Sequence, residues 1–251
     1  MKAKRRSSDV QPTTYRRRKP KEEIYVADEE VKVQKRKLII TAKTDKQKEA
    51  LRKINENDIV FLIGPAGTGK TFLAVMKAIE ELMNGSVKRI ILTRPVCEAG
   101  ESLGFLPGSA QEKIAPYMTP LFDHLKAVFK ANEFDDHMHE EVIKVMPLAY
   151  MRGITINDGF IILDEAQNLS DDQLKMILTR MGENSKIVIT ADPDQTDLPR
   201  ENNLIEIAKK LSVLDRIDYV TFGEEDSVRH PMIKSILKVF REIKENKNVR
   251  T

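Results

Sequence analysis

Eight consecutive residues carry the first chemistry that can be read from the chain. Gly64-Pro65-Ala66-Gly67-Thr68-Gly69-Lys70-Thr71 fits the pattern G-x-x-x-x-G-K-[ST]. The pattern solves one problem, how to hold a row of phosphates. Glycines let the backbone approach closely and turn successive N–H groups toward phosphate oxygens. A helix that begins at Lys70 adds its positive end. Lys70 is then placed to reach the β- and γ-phosphates and the Thr71 hydroxyl to ligate Mg²⁺, with Phe72 counted beside Gly64–Thr71 among the nucleotide-binding residues. A chance glycine-rich turn would share the composition. It would not be expected between the apolar run Asp58–Ile63, a buried strand, and the amphipathic stretch Lys70–Met83, a helix.

A second constellation follows the apolar run Phe160-Ile161-Ile162-Leu163, which ends in Asp164-Glu165. The carboxyl end of such a strand opens into the crevice where a phosphate loop lies. Asp164 is expected to hold Mg²⁺, directly or through its water shell. Glu165 is expected to orient and deprotonate an attacking water. The same two acids also read as an ordinary helix cap, and their partnership with residues 64–71 gives them the sharper meaning. A third apolar strand, Ile187–Thr190, leads into Ala191-Asp192-Pro193-Asp194-Gln195. Asp-Pro-Asp makes a turn, and Gln195 at its end has an amide that can accept from a water and donate to a γ-phosphate.

Other polar positions are less decided by their surroundings. Gln47, after Thr44 and before the first core strand, could bond an adenine edge, although its position alone favours a solvated helix glutamine. Transition-state charge calls for an arginine, and the candidates are Arg94, Arg152, Arg200 and Arg229, the last beside His230 and Pro231 at the opening of the final helix. Asp135, Asp136, His137, His139, Glu140 and Glu141 cluster, but without a ligand pattern they read as a polar helix or loop. Cys97 reads as structural.

These residues must be positioned by alternating elements. Residues 1–23 are rich in Arg, Lys, Pro and Ser and read as a disordered arm; residues 24–43 have the character of one or two short strands. A core spans residues 44–245, with 246–251 a tail. Within it the pattern predicts a helix over Thr44–Lys53, a strand at Arg89–Thr93, helical material over Ser109–Lys130 and a helix ending in Glu140–Lys144. It continues with a short strand at Val145–Ala149, a helix over Ser170–Met181, a strand at Lys186–Thr190, a helix over Glu201–Lys210, a strand at Tyr219–Phe222 and a last helix over Val228–Lys244. Strands alternating with helices imply an α/β fold, a mostly parallel sheet with helices on both faces.

Composition agrees with one such domain. The chain has 251 residues, 41% hydrophobic and 32% charged, with a single cysteine. It shows no apolar run of the roughly 18–20 residues that a membrane span needs and no signal-peptide pattern. These features place it in the cytoplasm with no membrane partner. The net charge of +3 is uneven: Lys2, Lys4, Arg5, Arg6, Arg16, Arg17, Arg18 and Lys19 face only Asp9 in the first 20 residues. A basic arm over residues 1–20 can take up the phosphates of single-stranded RNA or DNA, or serve simply as a solvated tail.

Several segments together resemble the PhoH-like ATPases. They are Thr93-Arg94-Pro95, Gly100-Glu101-Ser102-Leu103-Gly104-Phe105-Leu106-Pro107-Gly108, Tyr150-Met151-Arg152-Gly153, Leu163-Asp164-Glu165-Ala166-Gln167-Asn168 and Asp192-Pro193-Asp194-Gln195-Thr196-Asp197-Leu198-Pro199. The resemblance runs from about Thr44 to Phe240, with Ala191 a departure where the family usually carries Gly. It implies a P-loop NTPase whose sheet is similar to the first RecA-like lobe of superfamily 1 helicases, and an ATPase using ATP and Mg²⁺. It implies a γ-phosphate-sensing role for Gln195 and an early-glutamine role for Gln47. Through Val228-Arg229-His230-Pro231 it points to Arg229 as the arginine finger. It further implies a link to RNA metabolism, with helicase activity as an extension, and a hexameric ring. Because one lobe is present, the arginine is expected from a neighbouring subunit. Two rival readings stand beside it, an assembly module clamped by ATP with negligible turnover and a P-loop kinase for a small molecule.

Overall fold

The computed structural model describes residues 38–95, 115–196 and 203–230, with 232, 233, 235, 236 and 239. The basic arm, Cys97, the Gly100–Gly108 block and Arg200 lie outside the described residues. By its internal contacts the chain divides after Lys32, and every described residue belongs to the second unit.

Six strands form one sheet: β1 (Ile59–Ile63), β2 (Arg89–Thr93), β3 (Ile143–Val145), β4 (Gly159–Leu163), β5 (Lys186–Ala191) and β6 (Ile217–Thr221). Their order is β3-β2-β4-β5-β1-β6, and every pairing is parallel. The central strands are apolar throughout because helices cover both faces. Alternate residues divide between two cores. Val60, Leu62, Ile90, Leu92, Phe160, Ile162 and Val188 face one side. There they meet α1 (Asp45–Glu56), α2 (Lys70–Asn84), α3 (Thr119–Lys126) and α4 (Ala131–His139). Phe61, Ile63, Ile91, Ile161, Leu163, Ile187 and Ile189 face the other, where α5 (Asp171–Leu178) and α6 (Leu204–Leu211) pack. This is the P-loop NTPase fold, with β1, β4 and β5 side by side so that the three candidate segments leave the same edge of the sheet.

Several boundaries differ from the sequence reading. The short strand lies at Ile143–Val145, not Val145–Ala149, and Leu148–Met151 is a 3-10 turn. The helix before it ends at His139, because Glu141 adopts a left-handed φ of 57°. The expectation of a helix reaching Glu140–Lys144 therefore fails, since three-residue strands carry too little periodicity to be separated from a helix end. His137 packs edge-on against Phe129 at 4.9 Å, part of the apolar layer. Helix α5 stops at Leu178, where the Thr179 hydroxyl donates to the Lys175 and Met176 carbonyls. Residues 38–43 are not a strand; Leu38 and Ile40 pack against the first core. Val228–His230 precede the last helix rather than opening it, and Met232, Ile233, Ser235, Ile236 and Val239 are helical. Among the described residues no helix is long and apolar enough to cross a membrane.

Candidate functional site

Strand β1 delivers the glycine-rich segment to the carboxyl edge of the sheet. The segment leaves between β5 and the chain beyond β6: Gly64 N–H donates to the Ala191 carbonyl at 3.1 Å and Phe222 N–H to Ile63 at 2.8 Å. Gly64 has φ +149°, and a Cβ there would stand 2.4 Å from the Phe222 carbonyl oxygen. Only glycine allows that approach. Lys70, in the first turn of α2, is buried and folds back, its Nζ donating to the carbonyls of Gly64 at 2.6 Å and Pro65 at 2.9 Å. Burial pushes its pKa down from the ordinary lysine value, against the opposing pull of Asp192, Glu165 and Asp164. The loop is braced from behind. Gln47, 3% exposed on α1, donates from Nε2 to the Thr68 carbonyl at 2.9 Å and accepts from Lys43 N–H at 2.7 Å. The residues proposed from sequence as Gly64, Pro65, Ala66, Gly67, Thr68, Gly69, Lys70, Thr71 and Phe72 thus form one continuous bend, with Gln47 gripping its outer side.

The two acids face that bend. Asp164, at the end of β4, is 3% exposed and accepts at Oδ1 from the Thr71 hydroxyl at 2.9 Å and from the Thr190 hydroxyl of β5. Glu165 takes a left-handed backbone (φ 55°, ψ 42°) as the chain breaks from the strand into the 3-10 turn Ala166–Asn168. Its carboxylate accepts from the Gln167 amide and lies 3.4 Å from Arg94 Nη2. Arg94, just beyond β2, also stands 3.8 Å from Asp164 Oδ2 and donates to the Tyr117 carbonyl at 3.1 Å.

The segment after β5 completes the third side. Asp192 begins a 3-10 turn over Pro193–Gln195, and its carboxylate accepts from the Asp194 N–H at 3.1 Å and from the Gln195 amide. Gln167, 1% exposed, joins this turn to the acids: Oε1 accepts from Asp192 N–H at 3.0 Å and Nε2 donates to the Gln195 carbonyl at 3.3 Å as well as to Glu165. The chain after β6 then straps the loop, with Val228 N–H donating to the Gly67 carbonyl at 2.8 Å. The Arg229 side chain lies over Gly67, whose φ is +85°; a Cβ on Gly67 would be 2.5 Å from Arg229 Cδ. Arg229 therefore lines the cleft of its own chain. Arg152 is exposed and is not among the residues lining the cleft.

The cleft so enclosed measures about 390 Å³ and brings Lys70, Thr71, Phe72, Asp164, Glu165, Gln195 and Arg229 together, a size suited to a small charged ligand. Among the described residues no group of three or more His, Cys, Asp or Glu could hold a metal unaided. A hydroxyl and one carboxylate 2.9 Å apart are the hard oxygen donors that suit Mg²⁺ when phosphates and waters supply the rest. Sequence reasoning missed Thr190, Asp192, Gln167 and His124. His124 stacks edge-on against Phe72 at 5.5 Å, and burial pushes its pKa down. Gln167 and Asp192 had a signal, each lying in a segment that resembles the family, Gln167 two residues after Glu165 and Asp192 three before Gln195.

The family described as "PhoH-like protein" matches residues 39–241. Similar proteins are the "PhoH-like protein" of Bacillus subtilis (48% identical, covering 80% of this chain and 64% of that one) and "Protein PhoH" of Escherichia coli K12 (39% identical, covering 80% and 58%). The chain thus spans less than two thirds of the length of these relatives. Among solved structures, the large terminase of a thermophilic bacteriophage in complex with ADP is similar in fold (TM-score 0.52, 14% identity, covering 78% of this chain and 49% of that chain).

Proposed function

The chain belongs to the PhoH-like family, and from that premise we propose that it is an ATPase, binding ATP with Mg²⁺ in the cleft between the Gly64–Thr71 bend and the Asp164–Glu165 pair. The observation that carries this reading is the meeting, across the cleft, of the Thr71 hydroxyl and Asp164 at 2.9 Å with Glu165 next in the chain. Nothing in a structural cap requires a phosphate cradle to face it.

The residues divide the work. The Gly64–Thr71 amides take the phosphate oxygens. Lys70 exchanges the Gly64 and Pro65 carbonyls for phosphate oxygens, better partners for its charge. Thr71 and Asp164 are the protein ligands for Mg²⁺, which when bound supplies charge neutralisation at the phosphates. Glu165 takes the proton of the attacking water. Gln195 senses the γ-phosphate, held to Glu165 through Gln167, so the two sides of the reacting group move together. Arg229 brings positive charge to the phosphates from its place over Gly67 in the same chain. Gln47 supports the loop and thereby the position of its amides.

At the level of the whole protein, the family resemblance supports a role in RNA metabolism in the cytoplasm, with RNA unwinding and a hexameric ring as its further extensions and the arm over residues 1–20 as a nucleic-acid contact. The decisive measurement is steady-state phosphate release with ATP and Mg²⁺. Glu165→Gln is expected to abolish turnover while retaining nucleotide, and Lys70→Ala to lose nucleotide as well. Undiminished turnover in Glu165→Gln would remove the hydrolytic reading; binding without any turnover in the wild type would favour an ATP clamp.

A further inference from the structure

Glu165 can take a proton from water only if a carboxylate oxygen is open to that water. Each oxygen already has a protein partner, which narrows the directions from which a water can reach it. Gln167 donates to Oε2, and Arg94 Nη2 lies 3.4 Å from Oε1. Arg94 does more than touch this one acid. Its Nη1 is 3.8 Å from Asp164 Oδ2 and donates to the Tyr117 carbonyl at 3.1 Å, so one guanidinium spans both acids and the 3-10 turn Ala115–Met118 that leads into α3. A planar guanidinium can serve several oxygens at once because its donors diverge in a fixed fork. Arg94 is not among the residues that line the cleft, whereas Arg229 is. Arg94 reaches the two acids from β2, the neighbour of β4, whereas Arg229 lies over Gly67 of the phosphate cradle, so Arg94 suits a hold on Glu165 better than a contact with transferred charge.

We propose that Arg94 is a positioning residue that latches Glu165 in a resting geometry, so that turnover requires the Arg94–Glu165 pair to open. This rests on the hydrolytic reading above. The latch is a partly solvated ion pair: the Arg94 side chain is 23% exposed and that of Glu165 30%. Its hold is accordingly modest and can be overcome thermally, giving a slowed enzyme rather than a dead one. Asp164 shares the same guanidinium, so the latch also competes with Mg²⁺ for that carboxylate.

The test compares wild type, Arg94→Gln and Arg94→Lys in steady-state phosphate release, alongside the Mg²⁺ dependence of binding of a fluorescent ATP analogue. Arg94→Gln is expected to raise kcat by about 1.5- to 5-fold, with KM for ATP little changed, and to lower the half-saturating Mg²⁺ concentration in the binding assay. Arg94→Lys keeps a charge but loses the fork, so its kcat should fall between the two. Wild type that hydrolyses ATP together with an Arg94→Gln variant whose kcat is unchanged or lower overturns the latch alone. Silence in both proteins overturns the hydrolytic reading and the latch with it. A silent wild type beside an active Arg94→Gln supports both. Should Arg94→Gln fail to fold, an Arg94→Lys kcat at or below that of wild type overturns the latch by itself.

Discussion

Replacing Gln47 by Ala isolates what the glutamine does. Its side-chain amide makes two hydrogen bonds, Nε2 to the Thr68 carbonyl at 2.9 Å and Oε1 from Lys43 N–H at 2.7 Å. Gln47 is 3% exposed and Thr68 0% exposed, so the freed Thr68 carbonyl gains no water to replace its partner. At about 1 kcal/mol for each net hydrogen bond, with a further penalty for a buried acceptor left unpaired, the loss should total roughly 2–3 kcal/mol. For a domain of this size that lowers Tm by roughly 4–12 °C. The contact with Lys43 closes the entry to α1 and the contact with Thr68 sets the loop, so nucleotide-free protein should already show the loss. Thermal unfolding without nucleotide measures it, and titration with ATP and with GTP should show both affinities weakened by similar factors. Gln47→Met, which keeps most of the volume but not the amide, separates lost packing from lost hydrogen bonds. Unchanged nucleotide-free stability in Gln47→Ala, together with a collapse of the preference for ATP over GTP, would refute the brace and return the amide to reading the base.

An arginine in the same chain's cleft predicts that mixing Arg229→Ala with Lys70→Ala protein restores no phosphate release beyond the sum of the two; recovery would show that it acts across subunits after all. Gly64→Ala drives a Cβ to within 2.4 Å of the Phe222 carbonyl at a φ of +149°, so it should cost about 1–3 kcal/mol and abolish nucleotide binding, as unfolding and binding titrations would report. Asp58 accepts from both the Nε and the Nη2 of Arg216, whose guanidinium holds the Asp58 carboxyl below its ordinary value. Because the folded pKa is the lower one, the stabilisation is complete above the ordinary carboxylate value of about 4 and is lost as pH falls through the lowered value. Asp58→Asn should therefore melt earlier than wild type at neutral pH, the gap closing only in that acid range. A gap that does not change with pH would mean that the ion pair is not its source.

Strands β1, β2, β4 and β5, the bend at residues 64–71 and the acids at 164 and 165 are all legible along the chain. In each case the information is local: an apolar run long enough for a buried strand, glycines where φ must be positive, and polar residues directly after the run. Local information failed at Ile143–Val145, where three residues do not make a period, and at Val228–His230, where a helical pattern yields to the hydrogen bond from Val228 to Gly67. Partnerships between distant residues emerge only when the chain is folded. Thr190 meets Asp164 because β5 lies beside β4. Arg94 meets Glu165 because β2 lies on the other side of β4, and Arg229 covers Gly67 because the chain beyond β6 crosses the loop. No spacing along the chain encodes these contacts, since which side chains share the edge of a parallel sheet follows from strand order, and strand order is set by how all the apolar faces bury together.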